Sequence, residues 1–126
     1  MPIQDRLTIY TFHNNTAYNA SSTALKGEDF NTQSYDHAII WVVPTGNYDG
    51  TINFEVSPDG GDTWLAIDAR ELDDITANLS TWTIDGTNTV SGVSIKLPHI
   101  FQIRARLSDG TAGNVTVKGR FVDGRF

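Results

Sequence analysis

Apolar residues recur at every second position in four separate runs of this chain, and a period of two is a strand signal that no helix can use. Thr51 to Ser57 places Ile52, Phe54 and Val56 on one face and Asn53 and Glu55 on the other. Ile100 to Leu107 places Phe101, Ile103, Ala105 and Leu107 against Gln102, Arg104 and Arg106. Asn114 to Phe121 alternates through Val115, Val117, Gly119 and Phe121, and Arg6 to Phe12 separates Leu7, Ile9 and Thr11 from Thr8, Tyr10 and Phe12. Clusters of Gly, Asn and Asp punctuate these runs as turn signals. The expected fold class is all-β: a two-layer antiparallel β-sandwich, jelly-roll or Ig-like, of about eight or nine strands. Ala69 to Asp74 has helix propensity but room for no more than about two turns, so at most one short helix is expected.

His37-Ala38-Ile39-Ile40-Trp41-Val42-Val43 breaks the alternation. A near-continuous apolar run marks a central strand covered on both faces, or an edge packed against another subunit. Pro44 is expected to stop it. The polar stretch His13 to Ser22 reads as a loop, Thr23 to Leu25 as a short strand, and Thr81 to Ile84 and Thr89 to Leu97 as strands joined by a turn at Asp85 to Asn88. Ser108 to Gly113 reads as another turn, and Gly92 as a bulge or a close crossing.

Ser57-Pro58-Asp59-Gly60-Gly61-Asp62-Thr63-Trp64 is the most specific local pattern. Asp59 can accept backbone N–H bonds from the residues after it, the glycines tolerate positive φ, and Trp64 can bury its ring beneath the turn. The octapeptide is therefore expected to close a hairpin between Thr51 to Ser57 and Trp64 to Ile67. Its spacing resembles the Asp-box of sialidases and related β-propellers, which implies structural roles for Ser57, Asp59, Gly61 and Trp64. A propeller needs at least about four blades, and one copy of the motif cannot supply them.

A chain of 126 residues fits one domain, 1–126, with 1–5 a candidate N-terminal arm, and can bury about two-thirds of its unfolded surface. It contains no cysteine, so disulfides and thiolate metal sites are excluded. His13, His37 and His99 lack the spacing of a ligand pair. A net charge of −6 repels phosphate backbones and anionic membranes, so neither nucleic acid nor membrane is expected as a partner. The first residues show no charged segment followed by an apolar stretch, and no export signal is expected. There is no cofactor signature and no Gly-x-Ser-x-Gly elbow, which points away from an enzyme.

Three groups are candidate sites. Asp68, Glu71, Asp73 and Asp74 offer oxygen ligands, with Asp68, Asp73 and Asp74 the calcium candidates, although the spacing fits no EF-hand and a solvated loop face is the simpler account. Tyr48 and Trp82 have polar neighbours and are the aromatics expected at an interface or a sugar-stacking platform, whereas Trp41 and Trp64 are expected in the core. Arg104 and Arg106, if opposite Lys118 and Arg120 on neighbouring strands, would make a positive face for an acidic partner or for the acidic loop of another copy.

The order of features over the last two-thirds of the chain resembles small tailed-phage virion proteins. The apolar strand Ala38 to Val43, Gly50 to Ser57 with its Asp-Gly-Gly-x-Thr-Trp turn, the Ile103-Arg104-Ala105-Arg106 strand and the Gly113 to Val117 run carry that resemblance. It implies a β-sandwich capsid decoration or cement protein, made in the host cytoplasm and displayed on the virion. Its partners would be the major capsid protein and copies of itself, with a homotrimer as the leading assembly. A tail or fibre module and a glycan-binding module are the alternatives.

Overall fold

The computed structural model describes residues 9–19, 26–32, 35–72, 74–79, 81–97 and 101–123, with the backbone alone for 74–78. Nine strands run through them and no helix does: β1 (Ile9–Ala17), β2 (Phe30–Asn31), β3 (His37–Ser57), β4 (Leu65–Ala66), β5 (Ala69–Glu71), β6 (Asp74–Leu79), β7 (Trp82–Thr87), β8 (Ser91–Lys96) and β9 (Gln102–Val122). Every described pairing is antiparallel. The all-β antiparallel class is as the alternation requires. The expected arm at 1–5, the short strand at 23–25, His99 and Asp73 lie outside the described residues.

Two strands of 21 residues, β3 and β9, pair along almost their whole length and organise the rest. The hydrogen-bonded path runs β1-β9-β3-β8-β5-β6, while β2 adds to β9 and both β4 and β7 add to β3. The layers are thus two halves of one continuous sheet rather than two separately bonded sheets. One half holds β1, the end of β9, the start of β3, β8, β5 and β6. The other holds β2, the start of β9, the end of β3, β4 and β7.

The doubling-over happens where the sequence shows its turn residues. Register slips between Thr45 and Asp49 and again between Asp49 and Thr51, so extra residues bulge out of each long strand in turn. Gly46, Asn47, Asp109 and Gly113 take positive φ there. Bulges sharpen the bend without breaking the ladder, which is why Pro44 and Ser108 to Gly113 lie inside strands and do not end them. Gly113 has a second constraint: a Cβ there would sit 2.6 Å from the Tyr48 backbone. Gly113→Ala should cost about 2 kcal/mol or more. Gly60→Ala, at a similar φ of 78° but with nothing within 4 Å, should cost only about 1 kcal/mol in the same chemical denaturation series.

The inward faces of the halves supply one core: Ala38, Ile40, Val42, Val93, Ile95, Val115, Val117 and Phe121 from the first, and Tyr48, Ile52, Phe54, Trp82, Ile84, Ile103, Ala105 and Leu107 from the second. Aromatic rings join them. Phe30 pairs by backbone with Ile103 in one half while its ring stacks on Phe121 of the other at 4.0 Å.

Ala69–Glu71 forms strand β5 and Asp74 opens β6, so the segment with room for one short helix holds strand and no helix where it is described, because β5 docks on β8 through Arg70–Ser94 and Glu71–Val93. Sheet pairing outweighs the modest helix propensity of so short a segment. The stretch read as a loop from His13 begins instead as strand, since β1 continues to Ala17 against β9 with bulges near His13 and Asn15.

His13 is turned inward by its bulge and links the halves. Its Nε2–H donates to the Ala105 carbonyl at 2.8 Å, and its Nδ1 accepts from the Thr16 hydroxyl at 3.3 Å. Burial pushes its pKa below the ordinary histidine value, with the Ala105 bond opposing part of that shift. The unfolded chain therefore takes up the proton first as pH falls. The stability held above about pH 6.5 is lost as pH drops through the depressed folded value. The urea midpoint should fall between pH 7.5 and pH 5, and His13→Gln should remove part of that slope.

Candidate functional site

The octapeptide closes the hairpin expected of it. β4 pairs Leu65 with Val56 and Ala66 with Glu55. The buried Ser57 hydroxyl donates to Asp59 Oδ1 at 2.9 Å and accepts the Gly61 N–H at 2.7 Å, and Asp59 Oδ1 accepts the Thr63 N–H at 2.8 Å. The Thr63 N–H, followed by its hydroxyl and that of Ser57, holds the Asp59 carboxyl below the usual carboxylate range. Trp64 Nε1–H donates to the Gly61 carbonyl at 3.0 Å. These bonds hold the turn's own backbone and leave no reacting geometry.

Trp64 is only half-buried, because its ring lies on the outer face of the second half and not in the core. Beneath it runs a charged layer. The Arg104 guanidinium sits 4.0 Å from the Trp64 ring centre and donates from Nε to Glu55 Oε1 at 2.9 Å, with a second contact from its terminal nitrogen at 2.8 Å. Arg106 Nε–H donates to Glu55 Oε2 at 3.1 Å. Cross-strand register explains the cluster, since Glu55 stands opposite Arg104 and Asn53 opposite Arg106. Asn53 Nδ2 donates to the Arg106 carbonyl at 3.0 Å and to the Ser108 hydroxyl at 2.9 Å, completing the row.

The positive face expected from four basic residues is therefore not assembled. Lys118 and Arg120 lie further along the same strand as Arg104 and Arg106, past the bend, opposite Trp41 and Ile39 in the other half. Arg104 is only 8% exposed, and one glutamate holds both strand arginines. The aromatic expectations also invert. Tyr48 is 1% and Trp82 4% exposed, so neither offers a ring to a partner or a sugar, while Trp41 is half-exposed. Bulges near Tyr48 turn its side chain over Gly50, a shift that an unbroken alternation does not reveal. Burial, then the neighbouring Asp49, pushes the Tyr48 pKa up to about 12.

Of the calcium candidates, Asp68 lies beside Arg70 at the rim of a concavity, and the Asp74 side chain is not described. Among the described residues no group of three metal-ligating side chains converges.

The surface that remains is the outer face of the first half. β3 is central there, flanked by β8 and β9, so its edges are both occupied. Ala38, Ile40 and Val42 point into the core, and the alternate positions point out: Ile39 at 38% exposed, half-exposed Trp41, and Val43 at 37%. Ile9 extends this apolar row across Arg120, and Leu72 packs beside Trp41 over Gly92, where a Cβ would come within 3.0 Å of the leucine. Gly92 is thus a close crossing. Lys118 stands opposite Trp41, and His37 stands opposite Lys96. At that end His37, Asp68, Arg70, Ser94, Ile95 and Lys96 line a concavity of about 530 Å³. The apolar run is therefore not an edge, since both sides of β3 are paired, and among the described residues it is a central strand covered on one face alone.

No protein-family model matches the chain, and no curated protein sequence does. Solved structures do. The SPBc2 prophage-derived protein YomS matches with a TM-score of 0.71 at 21% identity over 90% of each chain. The PBSX exported protein XepA matches with a TM-score of 0.73 at 18% identity over 90% of this chain and 37% of that one. This chain therefore spans little more than a third of XepA. Its all-β antiparallel fold is one that these two proteins share.

Proposed function

We propose that this chain is a non-enzymatic phage structural protein, a decoration or cement subunit that stabilises the capsid lattice at the virion surface. It would work with the major capsid protein and with further copies of itself, a homotrimer being the assembly suited to three-fold positions. The observation that carries the reading is the outer face of β3, left uncovered among the described residues, an apolar row on a central strand with Lys118 and Arg120 beside it. Such a surface is suited to docking on a protein, and the likeness to the prophage-derived YomS supports a phage setting.

The test is mass spectrometry of purified particles, followed by rebinding of the recombinant protein to particles stripped of it. Presence in the particle and a raised thermal release temperature of rebound capsids are the expected results. A protein absent from particles, monomeric at high concentration and unable to rebind would overturn the reading. Glycan binding has no comparable support, because the two aromatics that would have stacked on a sugar are in the core.

A further inference from the structure

The two halves of the sheet differ in width. β9 lies along one side of β3, so β8 in the first half and β4 and β7 in the second share the other side. Beyond β8 the first half continues through β5 and β6, whereas no described strand pairs with the outer edge of β7. A cavity of about 440 Å³ follows that edge. The buried Trp82 and Ile84 and the exposed Thr83 and Asp85 all line it. A cavity over one face of a strand meets alternate side chains, so one that meets both sets runs along the edge. There alternate residues of β7 turn their N–H and C=O groups away from β3. Across the cavity Leu72 and Val90 are both exposed. Glu71 and Asp85 are the charged residues of the lining, and among the described residues neither has an ion-pair partner.

We propose that this cavity takes an extended segment of another protein, which adds as a further strand to the open edge of β7 and carries lysine or arginine among apolar side chains. A polypeptide repeats N–H and C=O groups at the spacing of a strand edge, so the unpaired backbone selects the class of partner. The lining selects its side chains. Two carboxylates and no cation favour a basic segment, and Leu72 and Val90 give its apolar groups a surface. The added pairing is short, because β7 keeps register with β3 from Trp82 to Ile84 and then bulges at Asp85 and Gly86. A second copy of β7 in the same place would set one acidic lining against another, which opposes self-pairing.

The inference rests on the assembly reading for its biological partner, while the strand addition is testable alone. The probe is the fluorescein-labelled synthetic peptide Lys-Val-Thr-Val-Lys-Val, measured by fluorescence polarisation against the full chain. Beside it stand two forms methylated on backbone nitrogen, one at its second and fourth residues and the other at its third and fifth. The parent should bind, and one methylated form should bind at least about tenfold more weakly than the other, because every second amide of an added strand faces β7. Replacing the peptide's lysines by glutamine should weaken binding about fivefold, and Glu71→Gln should weaken the lysine peptide about threefold. Val90→Lys should weaken the lysine peptide about fivefold, and Val90 is exposed between β7 and β8, so this variant keeps the test valid even if Glu71→Gln unfolds.

Equal binding of the two methylated forms, or no binding of the parent, would sink the proposal. So would equal binding of the lysine and glutamine peptides, or a self-association of the wild type in sedimentation that Val90→Lys abolishes, since the occupant would then be a second copy. Peptide binding by a protein missing from particles would remove the virion role and keep the strand site. A particle protein with no peptide binding would do the reverse.

Discussion

Trp82→Ala lowers the unfolding free energy by about 3–5 kcal/mol, out of the roughly 5–15 that a domain of this size has to lose. Trp82 stands opposite Ile52 on the neighbouring strand, and its ring centre lies 6.2 Å from that of Phe54. Only 4% of it meets solvent. Truncation removes the largest side chain of β7, and the ladder that holds β7 to β3 from Trp82 to Ile84 limits how far the backbone can collapse into the void. Urea denaturation with an unchanged m-value is the measurement. A loss of under about 1 kcal/mol would mean that the ring is not packed as described. The same variant cannot serve as a probe of sugar stacking, since it damages the core first.

Glu55→Ala carries the second large effect, about 2–4 kcal/mol. One carboxylate accepts from two arginines, and Arg104 lies almost wholly under the Trp64 ring. Without Glu55 the Arg104 guanidinium keeps its desolvation cost and loses its counter-charge. Arg106 is much more exposed, so Arg106→Ala should cost no more than about 1 kcal/mol. Glu55→Gln keeps one acceptor oxygen and should fall between the two. Thermal melts of the three variants check the order, and a larger loss from Arg106→Ala than from Glu55→Ala would overturn the assignment of the buried partner.

Much of this was legible in the sequence, and the reasons are local. The parity of Ile103, Ala105 and Leu107 against Arg104 and Arg106 holds in the structure, because a buried sheet face tolerates no slip of one residue. The Ser57 to Trp64 turn is as local as a structure can be, each of its bonds spanning at most four residues. Parity does not say which pairs of strands meet. The sequence put Arg104 near Lys118, while register put it opposite Glu55. Tyr48 and Trp82 have polar neighbours in the chain, yet both are core residues because the bend brings the two sheet halves together around them.

The amino-acid sequence by itself determined the all-β class, the inward and outward faces of each regular strand and the hairpin at Asp59, since each depends on residues a few positions apart. Tertiary structure decided the rest. It joined strand segments that read as separate into β3 and β9, because paired bulges bend a ladder without breaking its hydrogen bonds. It also decided that, among the described residues, the apolar run Ala38 to Val43 is covered on one side only. Coverage depends on what lies across the sheet, and no periodicity along a single strand encodes that.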